Sequence, residues 1–272
     1  GDTKCSVVLR SGLQVDLRIV EGKSYGSALQ YFTGSKAHNI AIRLLGVKRH
    51  RKINEYGVFS GKRRIGGRTE AEVFDAVGLP WIPPELRENR GEIAAAREGR
   101  LPRLVEVSDI RGDLQMHTNA TDGKNTLAEM VTACEARGYE YIAITDHTKA
   151  VRVAGGLTKA GFHQQSRAID AIRTQLSKLV VLKGAEVDIL DSGALDLDDE
   201  TLEELDVVIV SEHSRLNMSK AEMTRRIVRA LRHPRVQILG HPTGRLIGRR
   251  EHYPIDMAEV VRVARDYGVL LE

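Results

Sequence analysis

Short apolar runs alternate with amphipathic stretches along residues 113–272. The runs are rich in β-branched residues, and stretches such as 127–137 and 220–231 carry apolar residues at helical spacing. A repeated order of strand and helix requires parallel strands joined by crossover helices, in a doubly wound sheet or a barrel. The predicted strands lie at about 113–116, 141–145, 179–185, 206–210, 236–240 and 267–271. The sequence therefore predicts an α/β domain over residues 113–272.

Five successive predicted strands are followed by a side chain that can bind a metal ion. The C-terminal ends of the strands of a parallel barrel open onto one face, so residues far apart in sequence meet there. The loop after the first strand adds a carboxylate. The candidate ligands are His117, Asp122, His147, Glu186, His213 and His241. We expect these six side chains to converge at one end of the barrel.

The chemistry of this set indicates phosphoester hydrolysis. Four imidazoles and two carboxylates are too many ligands for one tetrahedral ion, and they suit Mn²⁺, Zn²⁺ or Fe²⁺ in a cluster of two or three. Paired metal ions stabilise the attacking and leaving oxygens at a phosphoryl centre. Three arginines that follow the fifth strand are candidates for holding the substrate phosphate, because a guanidinium matches phosphate geometry. They are Arg245, Arg249 and Arg250.

Charge separates the two halves of the chain. Residues 1–107 hold 19 basic and 12 acidic side chains, whereas residues 108–272 hold 22 and 25. Residues 36–68 contain ten Lys or Arg and one acid, Glu55. Such a cluster is typical of a surface that binds the DNA phosphate backbone, and its candidates include Lys48, Arg49 and Arg51. The sequence thus predicts a basic DNA-binding unit ahead of the metal-binding one.

The predicted boundary follows a proline-rich segment. Residues 85–100 resemble a charged helix, and Pro102 ends it because proline cannot continue a helix. We expect a first unit at 1–100, a linker at 101–112 and the α/β unit at 113–272. No apolar run approaches the length of a membrane span, and no secretion signal begins the sequence, so we expect a cytoplasmic protein without membrane contact. Cys5 and Cys134 fit a reducing compartment as small core residues.

Five motifs of the second half resemble, in order, those of the PHP (polymerase and histidinol phosphatase) domain of bacterial and archaeal family X DNA polymerases. These motifs occupy residues 112–117, 144–147, 184–188, 211–214 and 240–245. The resemblance implies a distorted seven-stranded (βα)7 barrel with up to three metal ions, typically Mn²⁺, with Zn²⁺ or Mg²⁺ as alternatives. It also implies 3′–5′ exonuclease and related 3′-end phosphoesterase activity. By this likeness the six candidate ligands are the metal ligands, and His147 and Glu186 are catalytic.

The sequence departs from the family pattern at two places. Gln115 stands where the first histidine of a His-x-His motif is usual, and an amide is a weaker ligand. The final Asp-x-His pair of the family would follow a seventh strand, whereas this sequence stops at Glu272, beside the sixth. We therefore expect a barrel that lacks its last strand and holds fewer ions. Glu272 is a weaker candidate for an additional ligand.

The first half resembles the end of the palm and the thumb of the same polymerases, a small α+β unit. Residues 13–19 alternate as a strand, and Asp16 resembles the third metal-binding aspartate of the palm. The resemblance places further residues beside nucleotide and DNA: Tyr31, Phe32, Gly34, Ser35, Asn39 and Arg43. Since the Asp-x-Asp pair of the palm is not present, we expect this polypeptide not to polymerise, although its parent protein fills gaps in DNA repair using deoxynucleotides. Its DNA partner is gapped or 3′-recessed.

Two other functions remain open from the sequence. A small-molecule phosphatase that resembles histidinol-phosphate phosphatase shares the metal-binding motifs but needs no basic appendage. A non-catalytic DNA-binding scaffold is the second alternative, because Gln115 and the missing ligands weaken the metal site. The remaining histidines are expected to be surface or capping residues: His38, His50, His163, His233 and His252.

Overall fold

The computed structural model describes residues 3–272, and these form two compact units. The N-terminal unit ends at Leu104 and the C-terminal unit is Val105–Glu272. This boundary falls inside the predicted linker. Within the described residues, no helix combines the length and apolar character that a membrane crossing requires.

The N-terminal unit is a small α+β structure. It begins with an antiparallel hairpin, in which Asp16 is opposite Ser6, and continues with two helices and an antiparallel three-stranded meander. Its elements are β1 (Lys4–Val8), β2 (Gln14–Arg18), α1 (Tyr25–Thr33), α2 (Lys36–Lys48), β3 (Lys52–Asn54), β4 (Gly57–Ser60), β5 (Arg63–Gly66), α3 (Glu70–Asp75) and α4 (Glu92–Arg97). The predicted strand at 13–19 is therefore confirmed.

Side-chain caps begin two of these helices, and one core joins them. Ser35 accepts a hydrogen bond from the first turn of α2, and Thr69 does the same for α3. Ile42 of α2, Val58 of β4 and Phe74 of α3 are fully buried in one apolar cluster. This core is what holds the meander against the helices.

The predicted charged helix at 85–100 is wrong in its extent. A 3₁₀ turn occupies Pro84–Leu86, and α4 begins only at Glu92. Gly91, which precedes α4, has a φ of 110°, a conformation that a helix interior excludes. The charged composition suggested a longer helix than this glycine allows.

The C-terminal unit alternates strands and helices as predicted. Its elements are β6 (Gly112–Met116), α5 (Leu127–Ala136), β7 (Tyr141–Ile144), α6 (Lys159–Arg173), β8 (Val180–Asp188), α7 (Asp199–Glu203), β9 (Val207–Ser211), α8 (Lys220–Leu231), β10 (Ile238–Leu239), α9 (Met257–Tyr267) and β11 (Leu270–Leu271). All six strands are parallel and lie in the sheet in chain order, from β6 to β11. In a doubly wound sheet the strand order reverses at one point of the sheet. Here each strand lies beside the one that precedes it in the chain, which is the strand order of a barrel.

Alternation along β8 directs its side chains to opposite faces of the sheet. Ala185 and Val187 pack into the main core together with Met223 and Ile227 of α8. Glu186 and Asp188 alternate with these two residues and therefore point to the opposite, concave face. Parallel register aligns Glu186 with Ile209 and Asp188 with Ser211, close to where β9 ends. The sheet thus delivers polar side chains to one edge.

Candidate metal centre

Glu186 is the centre of a cluster of histidines at the C-terminal ends of the strands. One of its carboxylate oxygens lies 3.3 Å from His117 Nε2 and 3.4 Å from His147 Nδ1. The other lies 3.2 Å from His213 Nε2 and 3.0 Å from His241 Nε2. Four imidazoles from four strand ends therefore surround one carboxylate, which is only 1% exposed.

Asp122 joins this cluster from the loop after β6. Its two carboxylate oxygens lie 3.5 Å from His117 Nδ1 and 3.5 Å from His147 Nε2. Two groups of three donors result, each with ligand atoms within 4.8 Å of one another: His117, Asp122 and His147, and His147, Glu186 and His213. The structure thus brings together all six residues that the sequence analysis selected, and we call these six residues the rim.

Burial and the neighbouring histidines have opposing effects on the pKa of Glu186. Burial raises the pKa of Glu186, but hydrogen bonds from His117, His213 and His241 outweigh it and hold the pKa well below its usual range. Burial lowers the pKa of His213, yet its bonds to Asp188 and Glu186 prevail and raise the pKa to about 9. The carboxylate is therefore ionised and available as a ligand.

The donors of the rim fit divalent metal ions. The Nδ1 atoms of His117 and His147 are buried, and neither has a hydrogen-bond partner among the described residues. Buried polar atoms are usually paired, so unpaired imidazole nitrogens beside two carboxylates indicate a place for a cation. Mixed imidazole and carboxylate donors are typical of Mn²⁺, Zn²⁺ and Fe²⁺ sites.

Two aspartates that the sequence analysis did not select hold the rim in place. Asp188 accepts hydrogen bonds from His213 Nδ1 at 2.9 Å and from the His213 backbone N–H at 3.1 Å, which turns Nε2 toward Glu186. Asp146 accepts from the backbone and hydroxyl of Thr118 at 2.8 and 2.7 Å, and so fixes the loop that carries Asp122. The position of Asp188, two residues after Glu186 on one strand, was the signal available in the sequence.

Gln115 and Glu272 line one depression at the open side of the sheet, between β6 and β11. Gln115 Oε1 is buried and has no hydrogen-bond partner among the described residues. An oxygen in this state is available as a further ligand for a metal ion. Glu272 accepts a hydrogen bond of 2.9 Å from the backbone N–H of His241. His241 itself has a φ of 26°, which is uncommon for a residue with a side chain. Glu272 therefore helps to hold a rim histidine in an unfavourable backbone conformation.

A buried pair anchors the loop that follows His241. The Tyr253 hydroxyl hydrogen-bonds to the Glu212 carboxyl and to the carbonyl of Pro242. Burial raises the pKa of Glu212 to about 7. The three phosphate candidates of this loop, Arg245, Arg249 and Arg250, are all exposed. Arg250 donates to the Gly244 carbonyl at 2.9 Å, so it has fewer donors left for a substrate than the sequence suggested.

Asp16 lies in a very different setting. It is exposed on the hairpin, where Ser6 Oγ donates to it at 2.6 Å and Lys4 Nζ lies 2.9 Å away. These bonds hold the pKa of Asp16 well below its usual range, the bond from Ser6 having the larger effect. Among the described residues, both groups of three metal-capable side chains belong to the rim, and neither contains Asp16.

The nucleotide candidates of α1 and α2 form a connected surface. The Tyr31 and Phe32 rings meet edge to face with centroids 4.9 Å apart, and Arg43 lies over the Tyr31 ring at 5.0 Å. Asn39, by contrast, donates to the carbonyls of Tyr31 at 2.8 Å and Gly34 at 3.5 Å. Both of its amide hydrogens are thereby used inside the unit, which gives Asn39 a structural role in this turn.

The remaining candidates of this unit divide between structure and surface. Ser35 caps α2 by accepting from the backbone of His38 at 3.1 Å, and Gly34 ends α1. Lys48 and Arg49 are exposed and Arg51 is half-buried, as a phosphate-binding surface requires.

Two expectations outside the site were wrong. His38 is fully buried, and its Nδ1 lies 2.7 Å from Glu92 Oε1, so it is a core residue of the N-terminal unit. Its position on α2, with Ile42 four residues later, was the signal for that core face. Cys5 is exposed on the hairpin rather than in a core, whereas Cys134 is buried as expected.

Comparison with known proteins gives two family matches and several relatives. The PHP domain model matches residues 113–268, and the DNA polymerase beta thumb model matches residues 28–88. The DNA polymerase/3′-5′ exonuclease PolX of Bacillus subtilis (strain 168) is 42% identical over 277 residues, which cover 100% of this chain and 48% of that protein. A probable phosphatase of Acetivibrio thermocellus is 34% identical over 164 residues, 59% of this chain and 63% of that protein.

Solved structures give a weaker likeness. A crystal structure of Leishmania infantum polymerase beta, in a ternary P/T complex, is 33% identical and covers 28% of this chain and 36% of that chain, with a TM-score of 0.26. This TM-score is too low to support a statement about the fold. The chain spans about half the length of the polymerase relative and somewhat under two thirds of the phosphatase relative.

Proposed function

The chain belongs to the PHP domain family and carries a segment of the DNA polymerase beta thumb ahead of that domain, and on this basis we propose that it is part of a family X DNA polymerase. The proposed activity of the C-terminal unit is hydrolysis of 3′-terminal phosphoesters of DNA, as a 3′–5′ exonuclease. The parent protein then acts in gap-filling repair in the cytoplasm. The identity and length of the match to the polymerase relative support this over a free-standing enzyme.

The observation that carries the proposal is the convergence of four imidazoles on Glu186. An ionised carboxylate that is 1% exposed is costly unless charge compensates it. Four histidines and the unpaired nitrogens of His117 and His147 make the rim a site for cations. What supports cation binding is that these two nitrogens lie beside two carboxylates, in groups of three donors whose ligand atoms are within 4.8 Å of one another.

The six rim residues would hold the metal ions, and Mn²⁺ is the ion that we propose. When bound, divalent ions at such a centre stabilise the charge that develops on a phosphoryl group and activate water for attack on it. The protein contributes orientation. Asp188 fixes His213 through its Nδ1, and Asp146 fixes the loop of Asp122, so that both ligands are positioned before substrate arrives.

Basic side chains in both units supply contacts to DNA in this proposal. Arg245 and Arg249 are exposed on the loop that begins at His241, where they can meet the phosphate next to the reacting one. In the N-terminal unit, the segment at 36–68 provides a second set of backbone contacts, and Arg43 with Tyr31 offers a face for a base or sugar. Their partner is gapped or 3′-recessed DNA.

The proposal is tested by incubating the chain with Mn²⁺ and a 5′-labelled duplex with a recessed 3′ end. We expect stepwise shortening from the 3′ end, which stops on chelation and in the His147→Ala variant. His163→Ala is the matched control, since His163 is on α6 and pairs with Glu204 at 2.9 Å. Absence of shortening by the unaltered chain with saturating Mn²⁺ would overturn the proposal.

The probable-phosphatase relatives favour one alternative, a phosphatase that acts on small molecules. Histidinol phosphate added in place of DNA distinguishes the two functions by release of inorganic phosphate. Phosphate release without DNA shortening supports the alternative. No metal uptake and no hydrolysis of either substrate support a DNA-binding scaffold.

For polymerisation, Asp16 is proposed as one carboxylate of the parent protein's nucleotidyl-transfer site. Two-metal nucleotidyl transfer needs several carboxylates in one place. The hydrogen bonds that Asp16 makes are to Ser6 and Gln14. We therefore propose that this polypeptide alone does not extend a primer, which an assay with Mg²⁺ and deoxynucleotides tests.

A further inference from the structure

An open groove lies along α8 on the C-terminal unit, and none of the six rim residues lines it. Its volume is about 910 Å³, and it runs between α8, the loop after β8 and the loop after β9. Gly193 has a φ of 82°, and an added Cβ there would lie 2.7 Å from the Arg226 carbonyl and 2.9 Å from the Arg229 side chain. The glycine thus allows the loop after β8 to lie directly against α8 and form one wall.

Three arginines, two on α8 and one directly after its last residue, line this groove in a row. Arg225, Arg229 and Arg232 are spaced so that they share one helix face, and all three are exposed. The row extends about 10 Å along the helix axis, since each residue adds about 1.5 Å. Among the described residues, no carboxylate lies within 4 Å of these guanidinium groups. A row of this length suits a chain of phosphates better than a single one.

A buried arginine increases the positive charge of the groove. Arg226 is 2% exposed and donates to the carbonyls of Ile189 at 3.0 Å and Ser214 at 2.7 Å. Its hydrogen-bond partners are backbone carbonyls and the Ser214 hydroxyl, all neutral, so no carboxylate among the described residues cancels its charge. A buried cation without an anionic partner favours an anion nearby.

The acidic residues of the groove do not cancel this charge. Five arginines line it against three acids. Glu222 is hydrogen-bonded to the backbone and hydroxyl of Ser219 at the start of α8, and Asp191 lies 3.7 Å from Arg215. Glu259 of α9 is the third acid. The groove therefore keeps a net positive charge.

Short stretches of chain connect the groove to residues of the metal centre. Arg215 follows His213 by two residues, and Asp191 follows Asp188 by three. Arg226 ties the two loops together, because its donors reach Ile189 and Ser214 at the same time. The two loops that leave the rim at Asp188 and His213 therefore both line the groove.

We propose that this arginine groove binds the sugar-phosphate backbone of the DNA strand whose 3′ end reaches the rim. The proposal rests on the proposed nuclease function for the identity of its ligand. Bidentate guanidinium contacts to successive phosphates supply affinity without sequence preference. The groove thereby holds the strand while its terminal nucleotide is at the rim.

The test compares two variants of the full chain, each with three arginines replaced and the same three lysines replaced in addition. One replaces Arg225, Arg229 and Arg232 by alanine. The matched control removes three exposed arginines from other helices or helix ends of the same unit, so the two variants have the same net charge. Its substitutions are Arg137→Ala, Arg167→Ala and Arg265→Ala. Both carry Lys48→Ala, Lys52→Ala and Lys62→Ala, which weaken DNA binding by the N-terminal unit. Binding of a fluorescein-labelled 20-nucleotide oligo-dT is measured by anisotropy in EDTA over a range of salt concentrations.

We expect the groove variant to bind at least about tenfold more weakly than the control near 0.1 M salt. The plot of log K against log salt should become less steep by about 2, because three phosphate contacts are lost and each contributes about 0.7 to the steepness. A variant with lysine at the three positions should keep the slope, since it keeps the charges. Equal affinities and slopes for the groove and control variants would overturn the proposal, as would equal losses in both. Because EDTA prevents hydrolysis, the result is independent of whether the rim is a nuclease.

Discussion

The two units place their most acidic candidate residues in opposite environments. Asp16 is exposed on a hairpin and is held by a lysine and two polar side chains, whereas Glu186 is buried and surrounded by four imidazoles. Both have a pKa held below the usual range, yet among the residues that the structure describes only Glu186 belongs to a group of metal-capable side chains. A lowered carboxylate pKa is thus not enough to identify a metal site, because neighbouring donors and burial decide it.

The difference follows from how each unit is built. In the C-terminal unit, parallel strands direct six side chains to one edge, and secondary aspartates such as Asp188 fix them. In the N-terminal unit, the buried pair of His38 and Glu92 joins α2 to α4. In the proposed function, the buried carboxylate of the C-terminal unit serves metal binding, whereas the buried carboxylate of the N-terminal unit serves stability.

The largest expected effect comes from Glu186→Gln. The amide removes the charge that four histidines share, so we expect loss of Mn²⁺ uptake and a fall in 3′-end hydrolysis of about 10³-fold or more. Metal content by mass spectrometry and rates by gel assay measure both. Asp16→Asn should leave the metal content unchanged, and Asp170→Asn, an exposed acid of α6, is the control for hydrolysis. Retention of metal by Glu186→Gln would contradict this contrast.

In the N-terminal unit, Glu92→Ala should lower the free energy of unfolding by about 3 kcal/mol, because three hydrogen bonds to a buried carboxylate are lost. It leaves His38 buried without its partner and removes the acceptor for the backbone N–H groups of Asn89 and Arg90. Trp81, the one tryptophan of the chain, reports unfolding of this unit by fluorescence in urea. Glu98→Ala, at an exposed position, is the control. A loss below about 1 kcal/mol would show that the pair is not a stabilising core contact.

A smaller effect is expected from Asp188→Asn at the rim. The amide still occupies the space beside His213 but no longer holds its Nδ1 hydrogen as a carboxylate does, so metal affinity should fall by about 10-fold to 100-fold. Calorimetric titration with Mn²⁺ measures this change. An unchanged affinity would mean that Asp188 is not needed to orient His213, and would remove it from the centre.

The smallest predicted effect is a dependence of the N-terminal unit on pH. Burial lowers the pKa of His38 and outweighs its bond to Glu92, so the unfolded chain binds a proton at a higher pH than the folded one. For Glu92, burial raises the pKa, but the bonds from His38 and the backbone outweigh it and lower the pKa. Both groups therefore stabilise the unit at neutral pH, and this stability declines as pH falls below about 6.5 and again below about 4.3.

Urea unfolding followed by Trp81 at pH 7.5, 6.5 and 5.5 measures this decline. The His38→Gln variant should show a weaker dependence between pH 6.5 and 5.5, because it has no imidazole to titrate. Equal or greater stability of the unaltered chain at pH 5.5 would contradict the assignment of the pair.

Much of the fold and the rim could be predicted from the sequence. The strand and helix periods gave the order of the C-terminal unit, and the polar residue after each apolar run located His117, His147, Glu186, His213 and His241. These predictions succeed because parallel strands end at one edge whatever their spacing in sequence. The family resemblance drawn from the motifs is confirmed by the domain matches.

Other features could not be predicted because they depend on tertiary contacts. The spacing of Asp188 and Glu186 on one strand places both on one face of the sheet, but the role of Asp188 is visible only when the fold places His213 beside it. The spacing of His38 and Ile42 indicated a core face on α2, but the buried partner of His38, Glu92, is 54 positions away and is identified only by the fold. The arginine groove requires the loop at Gly193 to lie on α8, a contact that no periodicity indicates.

The central claim is that the rim is a divalent metal centre built around Glu186. Anomalous diffraction from crystals loaded with Mn²⁺ tests it most directly, because the signal locates the ion itself. We predict Mn²⁺ peaks bounded by His117, Asp122, His147, Glu186 and His213. Peaks elsewhere with none at the rim, at saturating Mn²⁺ and neutral pH, would contradict the account.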